Sequence, residues 1–259
     1  MRFRLHATLL AALLISCASS SASLTGNVKY GKTAEEDYRS GEDELKSKNY
    51  IEATKLFENV KNKYPFSKYA PLSELRVADV KFEQERFIES AEAYQQFVKL
   101  HPAHDQADYA AFRVGLSHWK DGPSDFVLFP PSFEKDQVQV REAAKVLDDF
   151  VKKYPNSKYK AEAEKLLAKA RSRLAEHEWY VAEFYAKRER WAGVAARLEG
   201  LVRDYPGSSR ESAALFKLAE AYVKLDERYR AQQALQQLIV KHPQDPRRPA
   251  AEKLLASLR

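Results

Sequence analysis

Five prolines constrain the fold more than any other feature of the chain, because each one ends an amphipathic segment. They are Pro65, Pro102, Pro155, Pro206 and Pro243. Twelve residues before each proline lies a small or β-branched residue, and large apolar residues lie eight and five residues before it. These offsets place the three residues on one stripe of an α-helix. Since proline restricts the preceding residue and cannot continue the helical hydrogen-bond ladder, each segment is predicted to be a helix that ends at its proline.

A second helix is predicted upstream of each stripe. In four of the five repeats it carries a small residue where the two helices meet: Gly41, Ala78, Ala182 and Ala219. This order resembles the tetratricopeptide pattern of about 34 residues per helix pair. The prolines are 37, 53, 51 and 37 residues apart, so the two middle repeats are predicted to be longer than that standard.

The predicted architecture is all-α, a right-handed superhelical solenoid of about five helix pairs with a C-terminal capping helix. An insertion is expected at about 120–136, and an extended first helix of the fourth pair at about 158–187. The cap is expected at 247–258, with Ala250, Leu254, Leu255 and Leu258 on one side. The solenoid divides into N-terminal repeats at 34–157 and C-terminal repeats with the cap at 158–259.

The N-terminus is typical of a targeting segment. Basic residues precede an apolar run from Leu5 to Ile15, which is too short to span a bilayer as a permanent helix. The run continues into Leu14-Ile15-Ser16-Cys17, which resembles a bacterial lipobox. That resemblance implies a signal peptide at 1–16, acylation of Cys17 and a lipidated flexible tether at 17–33. Because Ala18 follows the cysteine, it implies anchoring in the outer membrane, facing the periplasm. The alternative is a plain secretion signal with an incidental cysteine.

Composition argues against catalysis. The single Cys excludes a disulfide framework, and the sequence contains neither a Gly-rich phosphate loop nor a Gly-x-Ser-x-Gly turn. His101 and His104 have the spacing of a metal pair, but Pro102 between them favours an inter-helix turn. No catalytic residue, metal or cofactor is predicted.

The charge is unevenly distributed along the chain. Residues 17–155 contain 20 basic and 23 acidic side chains, whereas residues 156–259 contain 21 and 14. This asymmetry suggests two different partner surfaces. The small basic excess of a secreted chain argues against nucleic acid as a partner.

The predicted insertion contains an aromatic cluster that lies off the helical stripe. Phe126, Leu128, Phe129 and Phe133 are interrupted by two prolines, which exclude a regular helix. Two alternatives remain: the loop folds back over the solenoid groove, or it offers an apolar patch to a partner.

Several runs together resemble the BamD family of lipoprotein subunits of the β-barrel assembly machine. They are Tyr64-Pro65-Phe66, His101-Pro102-Ala103-His104, Asp108-Tyr109, Arg113-Val114-Gly115-Leu116, Tyr180–Tyr185, Arg197–Leu201 and Arg203–Pro206. The resemblance implies a non-enzymatic role, in which C-terminal repeats dock onto periplasmic domains of the barrel-forming subunit, beside other assembly lipoproteins. It also implies that an N-terminal groove receives unfolded precursors of outer-membrane proteins by binding their C-terminal aromatic signals. The membrane is expected to be contacted through the lipid alone.

The resemblance also implies site residues. Arg197, Glu199 and Arg203 are the candidate partner contacts, with a solvated Arg197 as the alternative. The candidate groove residues are Asp79, Asp108, Tyr109, Arg113, Phe126 and Phe129. The alternatives for two of these are core packing of Tyr109 and helix capping by Asp108.

Two other functions remain open at this stage. A different periplasm-facing repeat lipoprotein, which scaffolds peptidoglycan synthesis or polysaccharide export, would share the fold. An accessory domain of a glycan-cleaving enzyme would need a catalytic domain with a general-acid Glu, for which the solenoid leaves no residues.

Overall fold

The computed structural model describes residues 28–125 and 130–258, and the predicted lipidation site Cys17 lies outside these ranges. The described residues form eleven α-helices and one short 3₁₀ helix, with no strand. The α-helices are α1 Ala34–Lys46, α2 Tyr50–Lys63, α3 Tyr69–Glu83, α4 Phe87–Leu100, α5 Ala107–Asp121, α6 Val138–Lys153, α7 Lys160–Ala186, α8 Trp191–Asp204, α9 Glu211–Lys224, α10 Arg228–Lys241 and α11 Arg248–Ser257.

The helices form a solenoid of five antiparallel pairs, α1/α2 to α9/α10, followed by the cap α11. Each helix contacts the next one along the chain. The first helices of neighbouring pairs also contact one another, as α1 does with α3 and α5 with α7. These contacts place the first helices on the inner, concave side of the solenoid. The predicted all-α solenoid of tetratricopeptide-like helix pairs is confirmed.

The core follows the proline-based offsets. All fifteen residues at the three offsets are buried, and the five large ones eight residues before each proline have no exposed surface: Phe57, Tyr94, Leu147, Leu198 and Leu235. Burying one such side chain contributes about 1.5–3 kcal/mol relative to leaving it exposed. The repeated stripe therefore supplies the main packing energy of each pair.

Small residues on the first helices allow close approach to this stripe. A Cβ atom on Gly41 would lie 2.7 Å from the Phe57 ring, and one on Gly115 would lie 2.7 Å from Leu147 Cδ2. Gly115 was not identified from the sequence, because the insertion before α6 displaces it from the offset that the other repeats share. Position 115 is thus the contact position of the third pair.

The turns inside four of the pairs share one backbone motif. Lys48, Glu85, Glu189 and Asp226 each have φ between 54° and 62° and each lie two residues before the second helix. In the first pair, the N–H of Lys48 bonds to the carbonyl of Leu45 and that of Asn49 to Glu44, the pattern of a Schellman motif. Glycine usually occupies this left-handed position, so these turns contain backbone strain.

Helix α7 takes part in several core clusters. Ala163, Leu166 and Leu167 pack with the third pair, whereas Ala182 packs with α8 and α9. Its observed length of 27 residues agrees with the extended helix predicted from the sequence.

The capping helix differs from its prediction by one residue. Ala251 is fully buried, whereas Ala250 is exposed, so the predicted inward position of Ala250 is wrong. At 100° per residue, Ala251 lies within about 15° of the centre of the face formed by Leu254, Leu255 and Leu258, whereas Ala250 lies about 90° away from that centre, at its edge.

Candidate functional site

Two surface cavities lie at opposite ends of the solenoid. The N-terminal cavity, about 420 Å³, lies across the first helices α1, α3 and α5. Its lining is mostly charged or aromatic and comprises Glu42, Leu45, Lys46, Lys48, Tyr50, Arg76, Asp79, Glu83, Tyr109 and Arg113. Three of the predicted groove residues, Asp79, Tyr109 and Arg113, are therefore brought together here.

Asp79 is the centre of a buried polar cluster beneath this cavity. Its Oδ1 accepts hydrogen bonds from the hydroxyls of Tyr94 and Tyr109, the latter at 2.7 Å, and its Oδ2 accepts one from Arg76 Nη1 at 2.6 Å. The residue is only 7% exposed. Burial, together with the adjacent carboxylate, raises the pKa of both tyrosines above the ordinary value. The tyrosines therefore remain donors at neutral pH, and Asp79 acts as their common acceptor.

Arg113 borders the cavity and is held in place from two directions. Its guanidinium lies 3.8 Å from the centroid of the Phe82 ring, and its Nε donates to the Tyr94 hydroxyl at 3.0 Å. This stacking is a cation–π contact. The plane of the guanidinium is thus fixed by the second pair, although Arg113 belongs to the third.

Asp108 does not line the cavity. It lies in the first turn of α5, where its Oδ1 accepts from the backbone N–H of Tyr109 at 2.7 Å. Its Oδ2 accepts from the Ser157 hydroxyl at 2.7 Å, in the turn between α6 and α7. The N-cap residue of α5 is Gln106, so Asp108 is not the helix cap but links the first turn of α5 to the turn between α6 and α7. Phe126 and Phe129, the two other predicted groove residues, lie outside the described residues.

The C-terminal cavity, about 560 Å³, lies between α8, α9 and α10. Glu199 and Arg203 both line it. The Glu199 carboxylate accepts hydrogen bonds from the Tyr222 hydroxyl and from Arg230, and Arg203 pairs with Asp204 at 2.7 Å. Burial and the hydrogen bond to Glu199 raise the pKa of Tyr222.

Arg197 lies on a different face of the same helix. At 100° per residue it is about 160° around α8 from Glu199. It bonds instead to Glu178 on α7 at 3.2 Å, and its side chain is 41% exposed. The three predicted partner contacts are therefore split between two surfaces, a separation that helical periodicity alone would have revealed.

The described ends of the insertion fold against α7. Arg173 donates to the Pro123 carbonyl at 2.7 Å, and His177 Nδ1 donates to the Phe133 carbonyl at 2.6 Å. The Phe133 ring lies 6.0 Å from that of Tyr180. These contacts agree with the fold-back alternative for the described part of the loop.

The paired histidines hold an inter-helix turn together. His101 Nε2 lies 2.8 Å from a Glu74 oxygen, and His104 Nδ1 accepts from the backbone N–H of Gln106 at 3.0 Å. Over residues 28–125 and 130–258, no three side chains of His, Cys, Asp or Glu are grouped to hold a metal ion. Within the same ranges, none of the helices combines the length and apolar character needed to cross a membrane.

Sequence reasoning identified three of the ten residues that line the N-terminal cavity. Among the residues that it missed are Arg76, which bonds to Asp79, and Phe82, which packs on Arg113 without lining the cavity. Arg76 lies three residues before Asp79 on α3, where one helical turn brings the two side chains together. That spacing was the available signal for Arg76. The role of Phe82 as a platform for Arg113 depends on how α3 packs against α5 and has no sequence signal.

Comparisons with known proteins agree with this architecture. Residues 31–251 match the model of the family described as YfiO, outer membrane lipoprotein. The chain is 29% identical over 236 residues to a protein of Neisseria gonorrhoeae named outer membrane protein assembly factor BamD, covering 90% of this chain and 88% of that protein. It is 30% identical over 216 residues to the protein of that name from Neisseria meningitidis serogroup B, covering 83% and 81%.

The chain also aligns with a solved structure of the TPR2AB domain of yeast Sti1. It aligns at a TM-score of 0.41 and 14% identity, covering 87% of this chain and 86% of that chain. The family match spans all five helix pairs and reaches into the cap. The chain belongs to the YfiO family of outer membrane lipoproteins.

Proposed function

We propose that this chain is a non-enzymatic subunit of a β-barrel assembly complex that helps to insert β-barrel proteins into the outer membrane. The supporting observation is its similarity to outer membrane protein assembly factors over more than four-fifths of its length. A solenoid suits this role because stacked helix pairs present extended surfaces to partners.

The C-terminal cavity is the proposed docking surface for the barrel-forming subunit, through that partner's periplasmic domains. Besides Glu199 and Arg203, the adjoining face of α10 exposes Tyr229 and Val240, at 71% and 76% of their surface. Apolar residues rimmed by arginine and glutamine are typical of a protein interface. Arg197, on the opposite face of α8 towards α7, is proposed as a separate contact.

The N-terminal cavity is the proposed site for unfolded precursors. Its aromatic and charged walls suit an extended peptide that must bind weakly and be released. Other assembly lipoproteins are further proposed partners. The chain is proposed to contact the membrane only through a lipid on Cys17, with the solenoid facing the periplasm.

Co-purification from solubilised envelopes tests the docking proposal. The two test variants are Arg197→Glu on one face of α8 and Arg203→Glu on the other. Arg86→Glu is the control with the same charge reversal. Arg86 suits this purpose because its side chain is exposed and bonds only to the nearby Gln84 and Glu89. We expect a large β-barrel protein with repeated periplasmic domains to co-purify with wild type and with Arg86→Glu. Its yield should fall with Arg203→Glu.

The other results have distinct meanings. If only Arg197→Glu lowers the yield, the docking face is the one towards α7. If no such protein co-purifies and cell-wall synthesis or export enzymes appear instead, the assembly role is refuted. Loss of labelled palmitate in Cys17→Ser would support the lipid anchor, and unchanged labelling would refute it.

A further inference from the structure

The turn between α2 and α3 exposes a large apolar side chain that the corresponding turns lack. Phe66 directly follows the first of the five repeat prolines, and its whole side chain is exposed. The residues that follow the other four prolines are small or polar: Ala103, Asn156, Gly207 and Gln244. All five turns contain the same backbone hydrogen bond across the proline, as in the bond from the Ser67 N–H to the Tyr64 carbonyl at 3.0 Å. The turn therefore forms without an apolar residue at this position, and Phe66 has no role in folding it.

The N-terminal segment enters the solenoid beside this turn. The Tyr64 hydroxyl donates to the carbonyl of Lys32 at 3.2 Å. The backbone N–H of Lys32 donates to the Glu36 carboxylate, and that of Gly31 donates to the Asp37 carboxylate, both at 2.6 Å. These bonds fix the point from which the chain leaves the solenoid towards its N-terminus.

This exit point lies a short distance along the chain from the predicted lipid. Val28, the first described residue, is eleven residues from Cys17. A chain of that length spans at most about 40 Å even when it is fully extended. Acylation of Cys17 would therefore keep the turn that contains Phe66 close to the bilayer.

Exposed lysines flank both Phe66 and a second exposed aromatic residue, Tyr30. They are Lys29, Lys32, Lys63 and Lys68. None of the four forms a salt bridge with a carboxylate of residues 28–125 or 130–258. Tyr30, Phe66 and these lysines together form the tether-side patch.

Helix stability does not explain the position of Lys68. It is the N-cap residue of α3, whose first turn contains no acidic side chain. Helix N-termini favour negative charge, and Ser, Thr, Asp and Asn are the preferred N-cap residues. Lys68 therefore opposes the helix dipole, which an external anion would offset. Lys63 is less informative, because a cation in the last turn of α2 agrees with the dipole.

These properties fit the headgroup region of an anionic bilayer. Aromatic side chains are enriched at membrane interfaces, and lysines near the surface are attracted to anionic lipids. Neither Tyr30 nor Phe66 lines the N-terminal or the C-terminal cavity. The patch therefore protrudes, which suits insertion between lipid headgroups.

We propose that the tether-side patch rests on anionic phospholipids of the leaflet that holds the lipid anchor, with Phe66 inserted among the headgroups and the lysines on the phosphates. This goes beyond the proposed function, in which the lipid on Cys17 is the only membrane contact, and it rests on that lipid to bring the patch to the bilayer. The contact orients the solenoid, because the turn between α2 and α3 then faces the membrane.

Vesicle co-sedimentation tests the patch in the absence of the lipid. The mature chain, residues 17–259, is prepared with Cys17→Ser so that it carries no acyl group. Vesicles contain phosphatidylethanolamine with either phosphatidylglycerol or, as the neutral control, phosphatidylcholine. Each lysine near an anionic leaflet strengthens binding about fivefold, so we expect binding to the anionic vesicles to be tighter by about a hundredfold or more. Equal binding to both vesicles, or binding to neither, refutes the inference, whereas the assembly role is judged separately by co-purification.

An aromatic substitution tests the apolar part of the contact. Phe66→Ser should weaken binding to the anionic vesicles about tenfold, because the ring no longer leaves water. Tyr229→Ser is the control, since Tyr229 is also exposed but lies on α10 in the fifth pair. If the two substitutions weaken binding equally, Phe66 does not insert and the inference is refuted.

Charge reversals test the basic part of the contact. Lys63→Glu combined with Lys68→Glu should weaken binding by about 25-fold or more. Lys187→Glu combined with Arg190→Glu changes the net charge equally, in exposed residues at the turn between α7 and α8, and should weaken binding much less. Equal losses for the two pairs would show that net charge alone attracts the chain, which refutes the patch.

Fluorescence quenching tests the same contact in the lipid-anchored protein. Phe66→Trp and Tyr229→Trp are each reconstituted in vesicles whose phospholipids have brominated acyl chains. We expect Phe66→Trp to add a strongly quenched component to the emission, and Tyr229→Trp to add an unquenched one. Equal quenching of the two refutes the inference. If Phe66→Ser leaves vesicle binding unchanged and lowers the yield of co-purifying proteins instead, the patch is a protein interface and the inference is also refuted.

Discussion

Replacement of Asp79 by Ala tests whether the polar cluster under the N-terminal cavity stabilises the fold. The substitution leaves Tyr94, Tyr109 and Arg76 without their common acceptor. A hydrogen bond to a charged group contributes about 1.5–3 kcal/mol, and removing one partner of a buried ion pair costs about 3–5 kcal/mol. Arg76 is 28% exposed and can be partly rehydrated, so we expect a loss near the lower end, about 3 kcal/mol.

Two further variants make this value interpretable. Asp79→Asn keeps an acceptor for the tyrosines but loses the charge, so we expect a loss of about 1–2 kcal/mol. Asp148→Ala removes a carboxylate that bonds to the exposed Lys152 and Arg171, and should cost less than about 1 kcal/mol. Urea unfolding followed by far-UV circular dichroism gives the three values. If Asp79→Ala costs no more than Asp148→Ala, the cluster does not stabilise the protein and the reasoning fails.

Three other predictions concern stability. Gly115→Ala should lower the free energy of unfolding by about 1–3 kcal/mol, because the added Cβ would meet Leu147. Gly200 has open space around it, so Gly200→Ala should be neutral or stabilising by up to about 1 kcal/mol. Equal effects of the two substitutions in thermal melting would contradict the packing argument. Glu189→Gly should stabilise by about 0.5–1 kcal/mol in urea unfolding, since glycine tolerates the positive φ, and a loss would show that the turn is unstrained. The pKa values of Tyr94 and Tyr109 are raised in the folded protein. Their contribution to stability is therefore complete below the unfolded-state pKa of about 10 and is lost as the pH rises above it. The melting temperature should consequently fall more steeply above a pH of about 10 in wild type than in the variant with Phe at both positions.

The repeat pattern predicted the core because each offset from a proline is local. Tyr94 and Leu147 are buried as expected, although the surrounding helices differ in length. A prediction from local spacing fails where an insertion changes the number of residues between a position and its proline. Gly115 was missed for this reason, because the insertion lies between it and Pro155. The error at Ala250 has a simpler cause: it lies four residues before Leu254 but about 90° from the centre of the face that the three leucines share, so it lies at the edge of that face.

The candidate site could be predicted only in part. Asp79, Tyr109 and Arg113 were expected to meet because they lie on first helices, and they do line one cavity. Their hydrogen-bonding roles could not be predicted, because the bond from Tyr94 on α4 to Asp79 on α3 depends on how the helices pack. The separation of Arg197 from Glu199, by contrast, could have been predicted, because the helical period alone places two residues that are two positions apart on different faces of α8.

Helix α7 has a consequence for how cooperatively the protein unfolds. Its first half buries Leu166 and Leu167 against the third pair, and its second half buries Ala182 against α8 and α9. Neither half of the chain can lose its core without exposing apolar surface on a helix that the other half needs. Cutting the chain near residue 158 would therefore yield a C-terminal fragment with an uncovered apolar helix end, prone to self-association. In the intact protein, the proposed precursor and partner surfaces lie on a single folding unit, whose loss of structure at one end lowers the stability of the other.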